Sequence, residues 1–117
     1  MSGEVSYHAG RQAEDCVARE YDRRGCPVIG RRWRGAGGEI DLIARDGAGL
    51  IFVEVKKGRD FSSAAARVSA RQVGRIFDAA TEFVAGEPRG QLTEMRFDVA
   101  LVDHIGRIEI LESALAA

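Results

Sequence analysis

Residues 37–57, GGEIDLIARDGAGLIFVEVKK, decide the fold of this chain because they predict a β-hairpin. Residues 39–45 and 49–56 are rich in apolar side chains, and the Asp-Gly-Ala-Gly segment at 46–49 is a strong turn signal. In the second strand both sets of alternating side chains are apolar as far as residue 53. This pattern is typical of a central strand that is covered on both faces.

Three charged residues, Asp41, Glu54 and Lys56, interrupt this apolar hairpin. A turn of two or four residues around Gly47 and Ala48 places Asp41 directly opposite Glu54, whereas a three-residue turn shifts the register by one. The β-carbons of directly opposed residues lie about 4.5–5.5 Å apart, a separation at which two carboxylates repel each other. We therefore expect this pair to share a proton, to take a basic partner or to bind a cation.

Two interpretations of the charged cluster stay open on this pattern. In the first, Lys56 forms a structural salt bridge with the acids and the cluster has no affinity for metal. In the second, the acids bind Mg²⁺, which typically uses one or two carboxylates together with water and phosphate oxygens. The lysine would then position or activate water, or stabilise the charge that develops on phosphate.

The overall composition predicts one globular domain spanning residues 1–117, with 45% hydrophobic and 30% charged residues. The apolar runs fall far short of the roughly 20 residues that a membrane-spanning helix needs, and the first residues lack an export signal, which predicts a cytoplasmic protein with no membrane partner. Cys16 and Cys26 are poorly spaced for a zinc or disulfide framework.

Basic residues are unevenly distributed along a chain whose formal net charge is -1. From Arg11 to Arg34 there are seven arginines and four acids, and from Lys56 to Arg75 there are six basic residues and only Asp60 as an acid. This distribution permits a basic face on a nearly neutral protein. A mixed, solvated surface is the alternative interpretation.

Periodicity along the rest of the chain predicts helices and strands in the order αβββαββ. Residues 58–66 are predicted to form a loop. The predicted helices are 7–24 and 66–85, and the predicted strands are 27–33, 39–45, 49–56, 97–102 and 107–111.

The segments GEIDLIARDG and LIFVEVK resemble the PD-(D/E)xK nuclease signature, with Asp41 as the first acid and Glu54 and Lys56 as the (D/E)xK element. An ordered set of further segments extends the resemblance over nearly the whole chain, to the YraN-like family of uncharacterised bacterial proteins, which are similar to archaeal Holliday junction resolvases. Those segments are GRQAEDCVAREYDRRG, RRWRGAGGEIDLIARDG, FVEVK, AAARVSARQVGRI and RFDVALV.

This resemblance implies an α/β fold with a restriction-endonuclease-like core, in which helices flank a mixed β-sheet. It also implies a DNA endonuclease that depends on Mg²⁺ or Mn²⁺. It makes Asp41 and Glu54 the metal ligands and Lys56 the catalytic lysine. It also implies that Glu14, from the first helix, is an additional acid and that Gln72, from the second helix, lies near the active site. Water is then expected to attack phosphorus in line while the carboxylates hold the ion.

Structural alternatives accompany the residues outside the hairpin. Glu14 lies on a largely apolar side of its helix, and its alternative role is to extend to the surface or to pair with Arg11 or Arg19. A solvated position beside neighbouring arginines is the alternative for Gln72. Asp98, between Phe97 and Val99, is interpreted as structural support rather than as a ligand.

Nucleic acid, with DNA as the principal candidate, is the expected partner, and a homodimer is compatible with the sequence. The resemblance points to branched or structured DNA, which we expect to be bound through shape and phosphate contacts. The predicted nucleic-acid-binding residues are Arg31, Arg32, Arg34, Lys57, Arg71 and Arg75. A non-catalytic nucleic-acid-binding or interaction module on the same fold is the alternative function.

Overall fold

In the computed structural model, the described part of the chain is residues 3–115, with side chains from residue 10 onward. The helices are α1 (Gly3–Arg23), α2 (Phe61–Ala65) and α3 (Ala70–Val84), and the strands are β1 (Val28–Arg34), β2 (Glu39–Asp46), β3 (Gly49–Lys57), β4 (Met95–Val102) and β5 (Ile108–Leu111). A short 3-10 helix, Gly90–Leu92, precedes β4. Within the described range, no helix combines the length and apolar character that a membrane span requires.

The five strands form one mixed sheet in the order β1-β2-β3-β4-β5. Neighbouring strands are antiparallel except for β3 and β4, which are parallel and are connected through α2 and α3. The predicted α/β fold with a mixed sheet flanked by helices is therefore confirmed, and β3 is its central strand.

The predicted hairpin register is confirmed from the turn as far as the Leu42–Val53 pair, and the predicted Asp41–Glu54 pair lies just beyond the last paired residues. Asp46 pairs with Gly49 and Leu42 pairs with Val53, so the turn contains only Gly47 and Ala48. Gly47 has a φ of 60°, a left-handed conformation that glycine adopts without the steric cost that a β-carbon imposes.

Apolar side chains of β3 alternate between two layers of the core. Ile51 and Val53 pack with α1, whereas Leu50 and Phe52 pack with α3. A third cluster brings Ala64 of α2 against β4. The central strand is covered on both faces, as its sequence pattern predicts.

In β2, the alternation of side chains between the two faces of the sheet is interrupted at Asp41. Ile40 and Ile43 both pack in the α3 layer, while Leu42 packs in the α1 layer. In a regular strand Ile40 and Leu42 would share a face, so the strand is irregular at the residue between them. Because of this irregularity, the acidic side chain of Asp41 is accommodated in a strand whose neighbouring side chains are apolar and buried.

The region between β3 and β4 differs from the prediction. The segment predicted as a loop contains α2, and the helix predicted at 66–85 begins at Ala70. Capping side chains explain both differences: the Asp60 carboxylate accepts a hydrogen bond from the Ser63 N–H, and the Ser69 hydroxyl accepts one from the Gln72 N–H. The observed order is therefore αβββααββ, with one more helix than predicted.

Candidate functional site

Glu54 is the centre of the charged cluster at the end of β3. Its side chain is only 4% exposed, and its Oε2 accepts hydrogen bonds from Gln72 Nε2 at 2.5 Å and from Lys56 Nζ at 3.0 Å. The structure thus brings together three of the predicted catalytic residues. Gln72 is not the solvated residue of the alternative interpretation, because its amide group holds the buried carboxylate.

Asp41 adds a second carboxyl group at the point where the β2–β3 pairing ends. Beyond the Leu42–Val53 pair, its Oδ2 accepts a hydrogen bond from the Val55 N–H at 2.9 Å. Burial raises the pKa of Asp41 to about 7, and the nearby Glu54 carboxylate adds to this rise against the opposing effects of the Val55 N–H and Lys56. Asp41 and Glu54 are therefore close enough that each charge disfavours the other.

Glu14 reaches the same region from α1 through an ion pair with β1. Its two carboxylate oxygens accept hydrogen bonds from Arg32 Nε at 2.9 Å and from Arg32 Nη2 at 3.2 Å. Burial raises the pKa of Glu14, the bonds to Arg32 lower it, and the charge of Asp41 raises it. The arginine that pairs with Glu14 thus comes from a strand, and not from the same helix as the structural alternative supposed.

Arg32 has an unusual backbone conformation for a strand residue, with a φ of 48°. Its neighbours Arg31 and Trp33 pair with Leu42 and Ile40, so Arg32 lies opposite Asp41. A left-handed non-glycine residue costs roughly 1–2 kcal/mol and occurs preferentially at functional sites. Both strands are therefore irregular at the same level, next to the acidic pair.

Asp41 and Glu54 form a donor set that fits Mg²⁺. This ion binds through one or two carboxylates and completes its coordination with water and substrate oxygens. Burial is the main cause of the raised pKa of Asp41, and a cation would relieve the repulsion by Glu54 that raises it further. No group of three or more carboxylate, histidine or cysteine side chains converges on a possible ion position among the residues described here. Glu14 is accordingly a neighbour of the pair and not a third ligand in this arrangement.

The predicted nucleic-acid-binding residues divide into two sets. Every arginine that was predicted from β1 forms an ion pair: Arg31 with Asp15 at 2.5 Å, Arg32 with Glu14, and Arg34 with Glu39 at 2.9 Å. In the second set, Lys57, Arg71 and Arg75 have no carboxylate partner within the described part of the chain. The second set is the one that is available to an anionic ligand.

Two clefts flank the acidic pair. The first, here called the lysine cleft, has a volume of about 520 Å³ and is lined by Gly10, Ala13, Glu14, Val55, Lys56, Lys57, Gly58, Arg59, Arg67 and His104. The second, the glutamine cleft, has a volume of about 440 Å³ and is lined by Glu39, Ser69, Arg71, Gln72 and Arg75. Lys56 and Gln72 both bind Glu54 but line different clefts, so the buried carboxylate lies between the two.

Arg59 and Arg67, which also line the lysine cleft, belong to the basic stretch from Lys56 to Arg75 that predicted a basic face, although neither was among the individually predicted binding residues. His104 was missed, because it lies more than forty residues after Arg59 and no local signal marks it. Asp98, in contrast, is structural as interpreted: it is fully buried and accepts hydrogen bonds from Tyr21 Oη at 2.7 Å and from Arg96 Nε at 3.0 Å.

Comparisons with known proteins agree in one family. The model of "Uncharacterised protein family UPF0102" matches residues 13–102. A UPF0102 protein of Cereibacter sphaeroides is 68% identical over 117 residues and covers 100% of both chains. A UPF0102 protein of Ruegeria pomeroyi is 58% identical over 112 residues, covering 96% of this chain and 91% of the relative. The chain therefore belongs to the UPF0102 family, which is the YraN-like family that its motifs resemble.

Proposed function

We propose that this protein is a Mg²⁺-dependent DNA endonuclease with a restriction-endonuclease-like core, which hydrolyses phosphodiester bonds in branched or structured DNA. The observation that carries the proposal is the convergence of Asp41, Glu54 and Lys56 at the irregular end of the hairpin. A salt bridge between Lys56 and Glu54 would not by itself require a second buried carboxyl group, whose pKa is raised by burial and further by its acidic neighbour.

Each residue of the cluster has a role that its contacts support. Asp41 and Glu54 would hold Mg²⁺, and Gln72 keeps the Glu54 carboxylate oriented through its hydrogen bond. When bound, Mg²⁺ supplies positive charge that stabilises the negative charge developing on the phosphoryl oxygens. The ammonium group of Lys56, 3.0 Å from Glu54, would donate a hydrogen bond to the attacking water or to a phosphate oxygen.

Cations without carboxylate partners in both clefts support a polyanionic substrate. Lys57 lies in the lysine cleft and Arg71 and Arg75 lie in the glutamine cleft, on the two sides of the acidic pair. A strand that crossed the pair could contact both sets through its phosphates, which would position a phosphodiester bond without reading the bases.

A non-catalytic nucleic-acid-binding module is the second candidate. It is favoured by the net charge of -1 and by the ion pairs that already engage Arg31, Arg32 and Arg34. Such a module would bind nucleic acid without any requirement for Mg²⁺ at the acidic pair.

Incubation of the purified protein with junction, flap, single-stranded and duplex DNA, with Mg²⁺, Mn²⁺ or EDTA, tests the first candidate. We expect cleavage that requires metal and is lost in Asp41→Asn and Lys56→Ala. Arg89→Ala serves as a control because this exposed arginine lines neither cleft. Binding without cleavage of any substrate would reject the endonuclease and support the binding module.

A further inference from the structure

The lysine cleft has an excess of positive charge that its own carboxylates do not balance. Among the lining residues, Lys57, Arg59 and Arg67 have no acidic side chain bonded to them within the described range. Among the described residues, Glu14 is the only acid that lines the cleft, and Arg32 already binds both of its oxygens. The cleft is therefore suited to an anion.

Two backbone contacts hold the cationic wall in place. Arg67 Nη1 donates a hydrogen bond to the Lys57 carbonyl at 3.0 Å, which fixes its guanidinium group at the end of β3. A guanidinium group has five N–H donors, so most of them remain available to a ligand. The arginine is thus oriented in advance and loses little freedom on binding.

The second of these contacts joins His104 to Arg59. Its Nδ1 lies 2.9 Å from the Arg59 carbonyl, which can only accept, so Nδ1 carries the proton and Nε2 is left without a bond to any described residue. The turn that carries His104 is held by the buried Asp103 carboxylate, which accepts hydrogen bonds from the Ile105 and Arg107 N–H groups at 3.1 Å and 2.8 Å.

We infer that the lysine cleft is a phosphate-binding subsite for the nucleic-acid strand next to the reacting bond, an inference that rests on the proposed function. Lys56 both lines this cleft and binds Glu54, so a phosphate held by Arg59 and Arg67 lies beside the acidic pair. Arginine forks match phosphate oxygens in geometry, and a cleft of about 520 Å³ admits a nucleotide. The bound group is either a terminal phosphate or an internal phosphodiester.

Binding measurements separate these two sources. Fluorescence anisotropy is recorded in EDTA with Asp41→Asn protein, which cannot cleave, and with single-stranded oligonucleotides that carry a 5′-phosphate, a 3′-phosphate or no terminal phosphate. A terminal phosphate in the cleft predicts an affinity about 3- to 10-fold higher for one phosphorylated end. Equal affinities for all three, with an effect of the cleft variants, identify an internal phosphodiester.

Arg59→Ala and Arg67→Ala, in the same background, test the cleft itself. Each is expected to weaken binding at low salt and to reduce the slope of log affinity against log salt by about 1, because one phosphate contact is lost. Arg89→Ala is the matched control and should change neither quantity. The Arg59 side chain is exposed and carries no bond in the described part of the structure, so its removal should leave the melting temperature unchanged.

The experiments can reject the phosphate-binding subsite and the endonuclease independently of each other. Affinity and salt slope that are equal in Arg59→Ala, Arg67→Ala and the parent protein overturn the subsite, even if metal-dependent cleavage is found. Loss of binding in both variants without any cleavage by the wild-type protein keeps the subsite and rejects the endonuclease.

Discussion

The environment of Asp41 disfavours the charged form of its carboxyl group, and a bound cation would stabilise that form. Burial and the Glu54 carboxylate raise its pKa to about 7, although the Val55 N–H stabilises the charged form. Asparagine has the same shape and its carbonyl oxygen can still accept that hydrogen bond. The electrostatic role of this residue can therefore be separated from its structural role.

We expect Asp41→Asn to be as stable as the wild type or more stable in EDTA at pH 8, because the change removes one of two repelling charges. We expect Mg²⁺ to stabilise only the wild type, by about 2.7 kcal/mol at 100 times its Kd. Thermal melts in EDTA and in excess Mg²⁺ make the comparison. A clear loss of stability in EDTA, with no Mg²⁺ response in the wild type, would identify a structural ion-pair cluster.

The raised pKa of Asp41 also predicts a pH dependence of stability. The folded protein binds this proton more tightly than the unfolded chain does, because the pKa rises from 3.8 to about 7 on folding. Its contribution is therefore fully present below about pH 4 and is lost as the pH rises through 7. In EDTA, stability relative to Asp41→Asn should fall by on the order of 1–3 kcal/mol from pH 4 to pH 8 in urea titrations. A stability difference between the wild type and Asp41→Asn that does not change with pH would contradict this prediction.

Arg32 combines a strained backbone with an ion pair, and two substitutions separate these effects. Arg32→Ala and Arg32→Gly both remove the bonds to Glu14, but only glycine relieves the cost of a φ of 48°. We expect Arg32→Gly to be about 1 kcal/mol more stable than Arg32→Ala in urea denaturation. Equal or lower stability of the glycine variant would show that the left-handed conformation is not retained.

At the scale of elements, the contact between the end of β3 and α2 positions one side of the lysine cleft. Gly58 lies against the backbone of α2, where an added β-carbon would be 2.5 Å from Ala64 N and 2.9 Å from Ala64 Cα. Backbone atoms cannot move aside as a flexible side chain can, so this close approach requires glycine.

We expect Gly58→Ala to destabilise the fold by about 1–3 kcal/mol, because α2 must shift away from the sheet. Gly74→Ala is the matched control: Gly74 lies within α3 and an added β-carbon would meet nothing within 4 Å. That change should stabilise the protein by roughly 0.5–1 kcal/mol. Urea denaturation of both variants decides the matter, and equal effects would show that the contact with α2 is not tight.

At the scale of the whole molecule, the fold divides the basic residues into those that form ion pairs with acids and those that form none in the described structure. The arginines predicted from β1 are paired with acids from α1 or β2, whereas Arg71 and Arg75 of α3 have no carboxylate partner in the described structure. A paired arginine must give up its carboxylate before it can bind phosphate, which reduces its net contribution.

We therefore expect Arg71→Ala and Arg75→Ala to lower affinity for nucleic acid and to reduce its salt dependence by about one counterion each. Arg31→Ala should have a smaller effect, because Arg31 is already paired with Asp15 and contributes less to the binding of phosphate. Titrations of each variant with nucleic acid at several salt concentrations measure both quantities. Equal losses for all three variants would show that the ion pairs of β1 open on binding.

The hairpin shows how much of the fold was predictable. Its register, its two-residue turn and the burial of β3 on both faces depend on period-two alternation and on local turn chemistry. The same register correctly placed Asp41 near Glu54. The boundaries of α2 and α3 were missed, although Asp60 and Ser69 are capping residues that the sequence itself contains.

By itself, the sequence determined the hairpin and the acidic pair, because alternation and turns act between residues that are close along the chain. Only the tertiary structure decided which side chains surround that pair. The contacts Gln72–Glu54, Arg32–Glu14 and His104–Arg59 join residues 18, 18 and 45 positions apart. Hydrogen bonds require approach to about 3 Å, and over such separations that distance is set by the packing of helices on the sheet and not by any local pattern.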